Sequence, residues 1–508
     1  VISGQLMYEE RHYSFELDEN TFVLTLHPLD SEMGVFFNPL EFLLEGRTDN
    51  RKSPIWLIGE EYETDRQLLF VVKHIQTKTR RDYRHSETKT TLIARVEIYI
   101  HFESREFFSS PDEIKERLDV NAISFEGPEV DGFFPVVPYE ISGMNKDGTI
   151  ALNVRDYGNT SEKFSFQYRE DKTIETLLSI LRKAKYGSRN PLQFSRRLTH
   201  SFESTSDLTF LENLILDTRK VFMFLTYRKN VHFESISLKR GEMGELETVG
   251  QVFMRFYGGE RVEESSKIEK RIIDHTLIGQ QMPKLFELIS KDQIYMGHVP
   301  ESLKESWYIT NGRYVMAVAG FEAQYKKVKG DSSVQTESHI QREKAKEELI
   351  LELEKKLEDI KGKKHQKKSK KMYQGIITHL QSDKRSLEDK IEEAFSKNRP
   401  VMDYFLKHLY EDLNGVDVDS QSLGERIAKH RNKFAHGDLD FEAYELYILD
   451  FWSIKWLYYA MVLTELGMSE KSIYDSINKL FDRRLVSYDY LSSDENSQEK
   501  THEPNKDT

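Results

Sequence analysis

The sequence predicts an α+β multidomain protein: a β-rich, sandwich-like N-terminal region, a mixed middle and an all-helical C-terminal part. Length comes first, because 508 residues suffice for about two to four domains with more than one core. Residues 92–102 then alternate, with Leu92, Ala94, Val96, Ile98, Ile100 and Phe102 on one side and Arg95, Glu97 and His101 on the other. That period of two marks a half-buried strand, as in an antiparallel sheet. From about residue 301 the apolar residues recur at helical spacing instead.

Composition narrows the function classes. With 38% hydrophobic and 31% charged residues the chain is ordinary for a soluble protein, and 30 phenylalanines and 25 tyrosines argue for aromatic cores. It has no cysteine, which removes disulfides, thiolate zinc sites and cysteine nucleophiles and suits a reducing cytoplasm, the location expected. The net charge of −13 argues against coating of nucleic acid by the whole surface. A local basic groove stays open, because charges act over roughly 8 Å in physiological salt. The start, Val1-Ile2-Ser3-Gly4, has no basic stretch followed by an apolar core, so no secretory signal is expected. The most apolar window, residues 446–463, carries Asp450 and Lys455 near its middle and reads as a buried helix, not a membrane span.

The elements follow in order. Tyr13, Phe15 and Leu17 alternate, Asp18-Glu19-Asn20 turns the chain, and residues 22–26 form the next strand. Residues 153–168 read as a hairpin about Tyr157-Gly158-Asn159-Thr160, closing a β-rich domain over residues 1–170. Residues 171–300 are mixed, with a helix over 207–227 capped by Ser206 or Asp207, strands near 231–238 and 251–257, and a helix over 283–289 opened by Pro283. No glycine-rich phosphate loop, serine elbow or HExxH helix occurs there. Residues 301–486 are helical. Trp307, Tyr314, Ala317, Phe321 and Tyr325 stripe the first helix, over residues 302–329, and residues 341–360 and 372–395 suggest a coiled-coil-like hairpin inserted over about 340–396. The hairpin tip holds seven lysines in the eleven residues 361–371. Lys363, Lys364, Lys367 and Lys368 are candidates to grip an RNA backbone, against the plainer reading of a solvated turn. Residues 487–508 are polar and expected to be disordered.

One stretch carries chemistry: Arg431-Asn432-Lys433-Phe434-Ala435-His436-Gly437, at the end of a helix and before the long apolar one. Arginine offers a planar fork of donors to phosphate oxygens, and histidine moves protons near neutral pH. The spacing alone is weak, since Arg80 and His85 repeat it in a charged stretch. The plain alternative is equally concrete. A histidine before a helix-ending glycine gains about 0.3–1 kcal/mol from the helix dipole, and Arg431 needs only a carboxylate such as Glu425. His430 is expected to face solvent.

The helical part resembles the HEPN superfamily, whose nuclease members carry R-x4-6-H, often with a polar residue straight after the arginine. Here that is Arg431, Asn432 and His436. The order of a β-rich region before such a domain, with the stretch from Ser302 through Phe321-Glu322 as the first helix, resembles the ApeA group of bacterial anti-phage abortive-infection proteins. The resemblance implies an HEPN bundle over residues 301–486 and a metal-independent endoribonuclease without a cofactor. It implies Arg431, His436 and Asn432 as catalytic residues, RNA (transfer RNA above all) as substrate, and a homodimer that lines one cleft with both motifs. It further implies a phage-encoded trigger sensed by the N-terminal region. Lys433 would add to RNA binding, and Glu322 would either buttress Arg431 from the first helix or be a plain surface carboxylate. The competing expectation is a non-catalytic HEPN module for dimerisation or for nucleotide or protein binding. A metal-dependent hydrolase is weaker, because no compact His/Asp/Glu ligand spacing occurs.

Overall fold

The computed structural model describes residues 1–29, 55–82, 87–103, 106–137, 139–144, 150–154, 160–169, 172–184, 187, 192–242, 245–255, 262–329, 337–360, 366–381, 386–417, 420–437, 446–483, 485 and 488. The chain divides into two compact units, Val1–Thr276 and Leu277–Thr508.

The first unit is built on antiparallel strands. β1 (Ile2–Tyr8), β2 (Arg11–Asp18), β3 (Val23–Pro28), β6 (Glu87–Phe102), β5 (Gln67–Asp82) and β4 (Ile55–Glu61) pair in that order, and β4 pairs back on β1. The sandwich expected for this region is therefore a closed barrel, with Phe15, Leu24, Phe70 and Val96 buried inside. Two local features permit closure. β5 and β6 are 16 residues long and shift register at Val71/Val72 and Val72/Ile75, which coils the ladder. Gly4 and Gly59 face the Phe15 ring, and a Cβ at Gly59 would stand 2.6 Å from it.

One edge of β6 is shared: Leu92–Arg95 pair with β3 and Ile98–Phe102 with β14 (Glu247–Met254). The sheet then runs on through β13 (Ser235–Arg240), β7 (Val120–Glu126), β12 (Leu192–Thr205), β11 (Lys172–Ala184) and β10 (Ser161–Tyr168). The hairpin expected over 153–168 does not form. β9 (Ile150–Val154) pairs back on β8 (Tyr139–Met144) and β10 pairs forward with β11, each with its other neighbour in the chain, and residues 155–159 of the expected turn lie outside the described residues. The expected division at residue 170 thus falls between two paired strands. Helix α1 (Leu208–Thr226) starts at Asp207, whose carboxylate accepts from the Thr209 and Phe210 amides, and packs Phe222 edge-on to Phe233.

Among its described residues the second unit has helices and no strand. Helix α2 (Met282–Ser290) opens with proline in its first turn, as expected. Helix α3 (Asn311–Lys329), α6 (Leu387–Lys397), α8 (Ser420–His436) and α9 (Leu446–Leu466) pack together, with α7 (Arg399–Leu406) and α10 (Glu470–Leu480) against α9. Between α3 and α6, α4 (Glu337–Asp359) and α5 (Lys367–Gln381) pair as the inserted hairpin. Its second arm is shorter than expected. Ser386 and Asp389 form a reciprocal capping box that starts α6 afresh, so residues 387–397 belong to the bundle. The tail over 487–508 lies outside the described residues apart from Tyr488.

α9 is buried at every position from Leu449 to Leu463. The two charges within that buried span are accommodated differently: Asp450 is hydrogen-bonded, whereas the Lys455 ammonium lies 3.5 Å from the Trp452 ring centroid and 4.4 Å from that of Phe451. Among the described residues no helix is long and apolar enough to cross a membrane.

Candidate functional site

Helix α8 carries the motif and is fixed from below by a polar cluster. Leu423, Ile427, His430 and Phe434 recur on its inward face. His430 is therefore 5% exposed, not solvent-facing: its ring stands 6.1 Å from Tyr314, perpendicular to it, and 6.2 Å from Phe434. Asp450 reaches the same place from α9. Its fully buried carboxylate accepts from the Tyr410 hydroxyl at 2.6 Å and from Arg426 at 3.0 and 3.3 Å, with His430 Nδ1 3.7 Å away. Burial, then the Asp450 charge, push the Tyr410 phenol far above its ordinary range, so it stays a donor. Arg426 and His430 are one turn apart, so one carboxylate sets the rotation of the whole helix.

That rotation aims Arg431 at α3. Its Nη2 lies 3.6 Å from Glu322 Oε2, and its Nη1 donates to Asn432 Oδ1 at 3.0 Å. Glu425, the partner considered on the plain reading, is exposed on the same helix, and Glu322 holds the arginine instead. The other Glu322 oxygen accepts from Lys390 of α6 at 2.8 Å. Arg431 thus makes one hydrogen bond among the described residues, although a guanidinium has five N–H donors, and its Nε is buried without a hydrogen-bond partner there. The Asn432 oxygen is engaged, which leaves its amide nitrogen to donate to something else.

His436 is exposed and is the last residue of α8. Gly437 ends the helix at φ +69°, and its amide donates to Phe434 O at 3.3 Å. Nothing lies within 4 Å of where a Cβ at Gly437 would be, so the glycine serves the left-handed backbone and not a close contact. Along this continuous helix Arg431 and His436 stand roughly 140° apart around the axis and about 7.5 Å apart along it. A single copy therefore presents them on different faces.

The remaining candidates scatter. Lys433 is half-buried on α8, and Lys368 is exposed on α5. Lys367 begins α5, while Lys363, Lys364 and His85 lie outside the described residues. Arg80 sits in β5, opposite Lys89. Lys390, Tyr410 and Arg426 were not expected at the site, and Asp450 was expected only as a charge within a buried helix. A lone carboxylate in an apolar helix was the available signal for Asp450, because such a group must be paired. Among the described residues no group of three or more His, Asp or Glu side chains is arranged to hold a metal ion. The chain matches no family model, and no curated protein or solved structure is significantly similar to it.

Proposed function

We propose that this chain is a metal-independent endoribonuclease of bacterial anti-phage defence, acting in the cytoplasm through Arg431 and His436. The observation that carries the reading is Arg431 itself: a half-exposed guanidinium with one hydrogen bond, loosely held by Glu322, five residues before an exposed histidine. In the reaction the 2′-oxygen attacks phosphorus and the P–O5′ bond breaks. The histidine of one copy takes the 2′-hydroxyl proton, and His436 of a second copy gives a proton to the departing O5′. Arg431 stabilises the charge that develops on the phosphorane, and Asn432 donates to a phosphate oxygen. The roughly 140° offset within one helix is the reason to invoke a homodimer. Transfer RNA is the substrate class, the lysine-rich hairpin and Lys433 are backbone contacts, and the β-rich unit is the sensor of a phage component.

The test compares wild type with His436→Ala and Arg431→Ala on bulk transfer RNA in EDTA and in phage-infected bacteria. Wild type is expected to yield 2′,3′-cyclic phosphate and 5′-hydroxyl ends, and each variant to lose about 10²–10⁴-fold in rate with its unfolding midpoint unchanged. Phage protection that survives in His436→Ala with intact RNA overturns catalysis in favour of a binding module.

A further inference from the structure

Glu322 divides its two carboxylate oxygens between two cations from different helices. Lys390 Nζ holds Oε1 at 2.8 Å, and Arg431 Nη2 stands off Oε2 at 3.6 Å. An arginine beside a carboxylate ordinarily closes to a bidentate fork with both N···O distances near 2.8 Å. Here it has not closed, and Lys390 supplies the reason. Bound at Oε1 from α6, the carboxylate is drawn toward Lys390, and the ammonium opposes approach of a second cation to that same oxygen, so the guanidinium stays at Oε2 alone. All three groups are partly buried, with side-chain exposures of 21% for Lys390, 26% for Glu322 and 36% for Arg431. Solvent therefore screens the arrangement only in part.

Lys390 is also held in place by its own helix. The Ser386–Asp389 capping box fixes the start of α6. α6 in turn crosses α8 so closely that a Cβ at Gly424 would lie 3.1 Å from the Glu388 carbonyl oxygen. The lysine is thus anchored to the motif helix by backbone packing, two residues from the contact.

We infer that Lys390 is a positioning residue that keeps Arg431 open to a substrate phosphate by occupying one oxygen of Glu322. The inference rests on the ribonuclease reading for the phosphate, though not for the shared carboxylate. Removing the ammonium frees Glu322 to close on Arg431 and neutralise it. Removing the carboxylate charge as well releases the arginine again. Lys390 acts through Glu322 and touches no reacting atom.

The experiment uses the full-length chain and two readouts. One is the rate at which phenylglyoxal modifies Arg431, followed by peptide mass spectrometry. The other is the cleavage rate on bulk transfer RNA. In Lys390→Met both are expected to fall, the modification rate by about fivefold, the scale of a partly exposed ion pair. Lys390→Arg should keep both rates. The double variant Lys390→Met/Glu322→Gln should recover the modification rate at least to the wild-type value. A lysine that merely packs helices would lower the unfolding midpoint in all three variants and leave the Arg431 modification rate unmoved. An unchanged modification rate in folded Lys390→Met overturns the inference, whether or not the wild type cleaves RNA. If modification falls as expected while wild type cleaves nothing, the ribonuclease reading is overturned and the shared carboxylate stands.

Discussion

Arg228 in the sheet-rich unit and Arg431 in the helical unit each face a glutamate, and the two pairs differ in every respect that matters. Arg228 is 2% exposed, meets Glu129 at 2.7 Å, and donates also to the Asn230 carbonyl at 2.7 Å and to its side-chain oxygen at 3.0 Å. Glu129 accepts in addition from the His232 amide at 3.1 Å. Burial pushes the Glu129 carboxyl above its ordinary range and Arg228 draws it back. Arg431 stands 3.6 Å from its glutamate and makes one hydrogen bond among the described residues. A spent guanidinium in a dry site is structure. One whose donors are mostly unspent, at the rim of a bundle, is available for binding.

The sharpest way to break this comparison is to make the same substitution at both places. Arg228→Met strands the Glu129 carboxylate in the interior and is expected to cost about 3–5 kcal/mol. Arg431→Met removes a loose pair and should move stability by less than about 1 kcal/mol. Urea unfolding of both variants measures the difference. Equal losses would mean that Arg431 is a structural residue after all. Wild-type RNA cleavage by Arg431→Met would point the same way.

The two units also carry contrasting histidines. His436 is exposed, whereas His200 is fully buried between Thr176, 2.8 Å from Nδ1, and Thr218, 3.1 Å from Nε2. The Thr218 hydroxyl donates its proton to the Leu214 carbonyl at 2.7 Å, so it accepts from Nε2–H, and Nδ1 accepts from Thr176. Both ring nitrogens are thereby committed to the neutral form, and burial lowers the pKa from 6.5 to about 3. The unfolded chain binds this proton more tightly than the folded one. The stabilisation is therefore whole above pH 6.5 and is lost as pH falls toward 3. The slope is about 1.4 kcal/mol per pH unit, or roughly 2 kcal/mol between pH 6.5 and 5. His232 and His275, also held below their ordinary range by burial, add the same sense of slope. The difference between wild type and His200→Gln isolates one residue: urea midpoints of the variant should fall less steeply with acid. Parallel curves would mean that His200 is not held neutral.

What the sequence made legible divides along the same line. The strand over 92–102, the Asp207 cap and the stripe of Tyr314, Ala317, Phe321 and Tyr325 were readable because each is set by neighbours a few residues away; Trp307, expected in that stripe, is 56% exposed and precedes α3. Barrel closure was not, because it depends on β4 returning to β1 and on two glycines making room for Phe15. The inserted hairpin was read too long although Ser386-Leu387-Glu388-Asp389 is a capping box in plain sight; apolar spacing across it masked the break. Arg431 and His436 stood out as residue types, but nothing local told that Glu322 would be shared with Lys390, or that Asp450 would anchor the motif helix. Those pairings join segments far apart in the chain, and only the packed bundle brings them together.

A small effect is expected at the end of α8. Gly437 holds φ +69° with open space where a Cβ would be, so Gly437→Ala creates no clash. Its cost is conformational, about 1 kcal/mol for a left-handed residue with a side chain. The first response to that strain is a frayed last turn, since only the Phe434 carbonyl receives the Gly437 amide and the helix ends there. Phe434 is clamped by Tyr314, His430 and Tyr447, so fraying stops at residue 434. Residues 435 and 436 move, and Arg431, one turn earlier, does not. On the ribonuclease reading, Gly437→Ala should therefore lower the cleavage rate well beyond its effect on unfolding, while the phenylglyoxal reactivity of Arg431 stays at the wild-type level. If His436 only complements the helix dipole, activity follows stability and falls by no more than the small loss of folded protein.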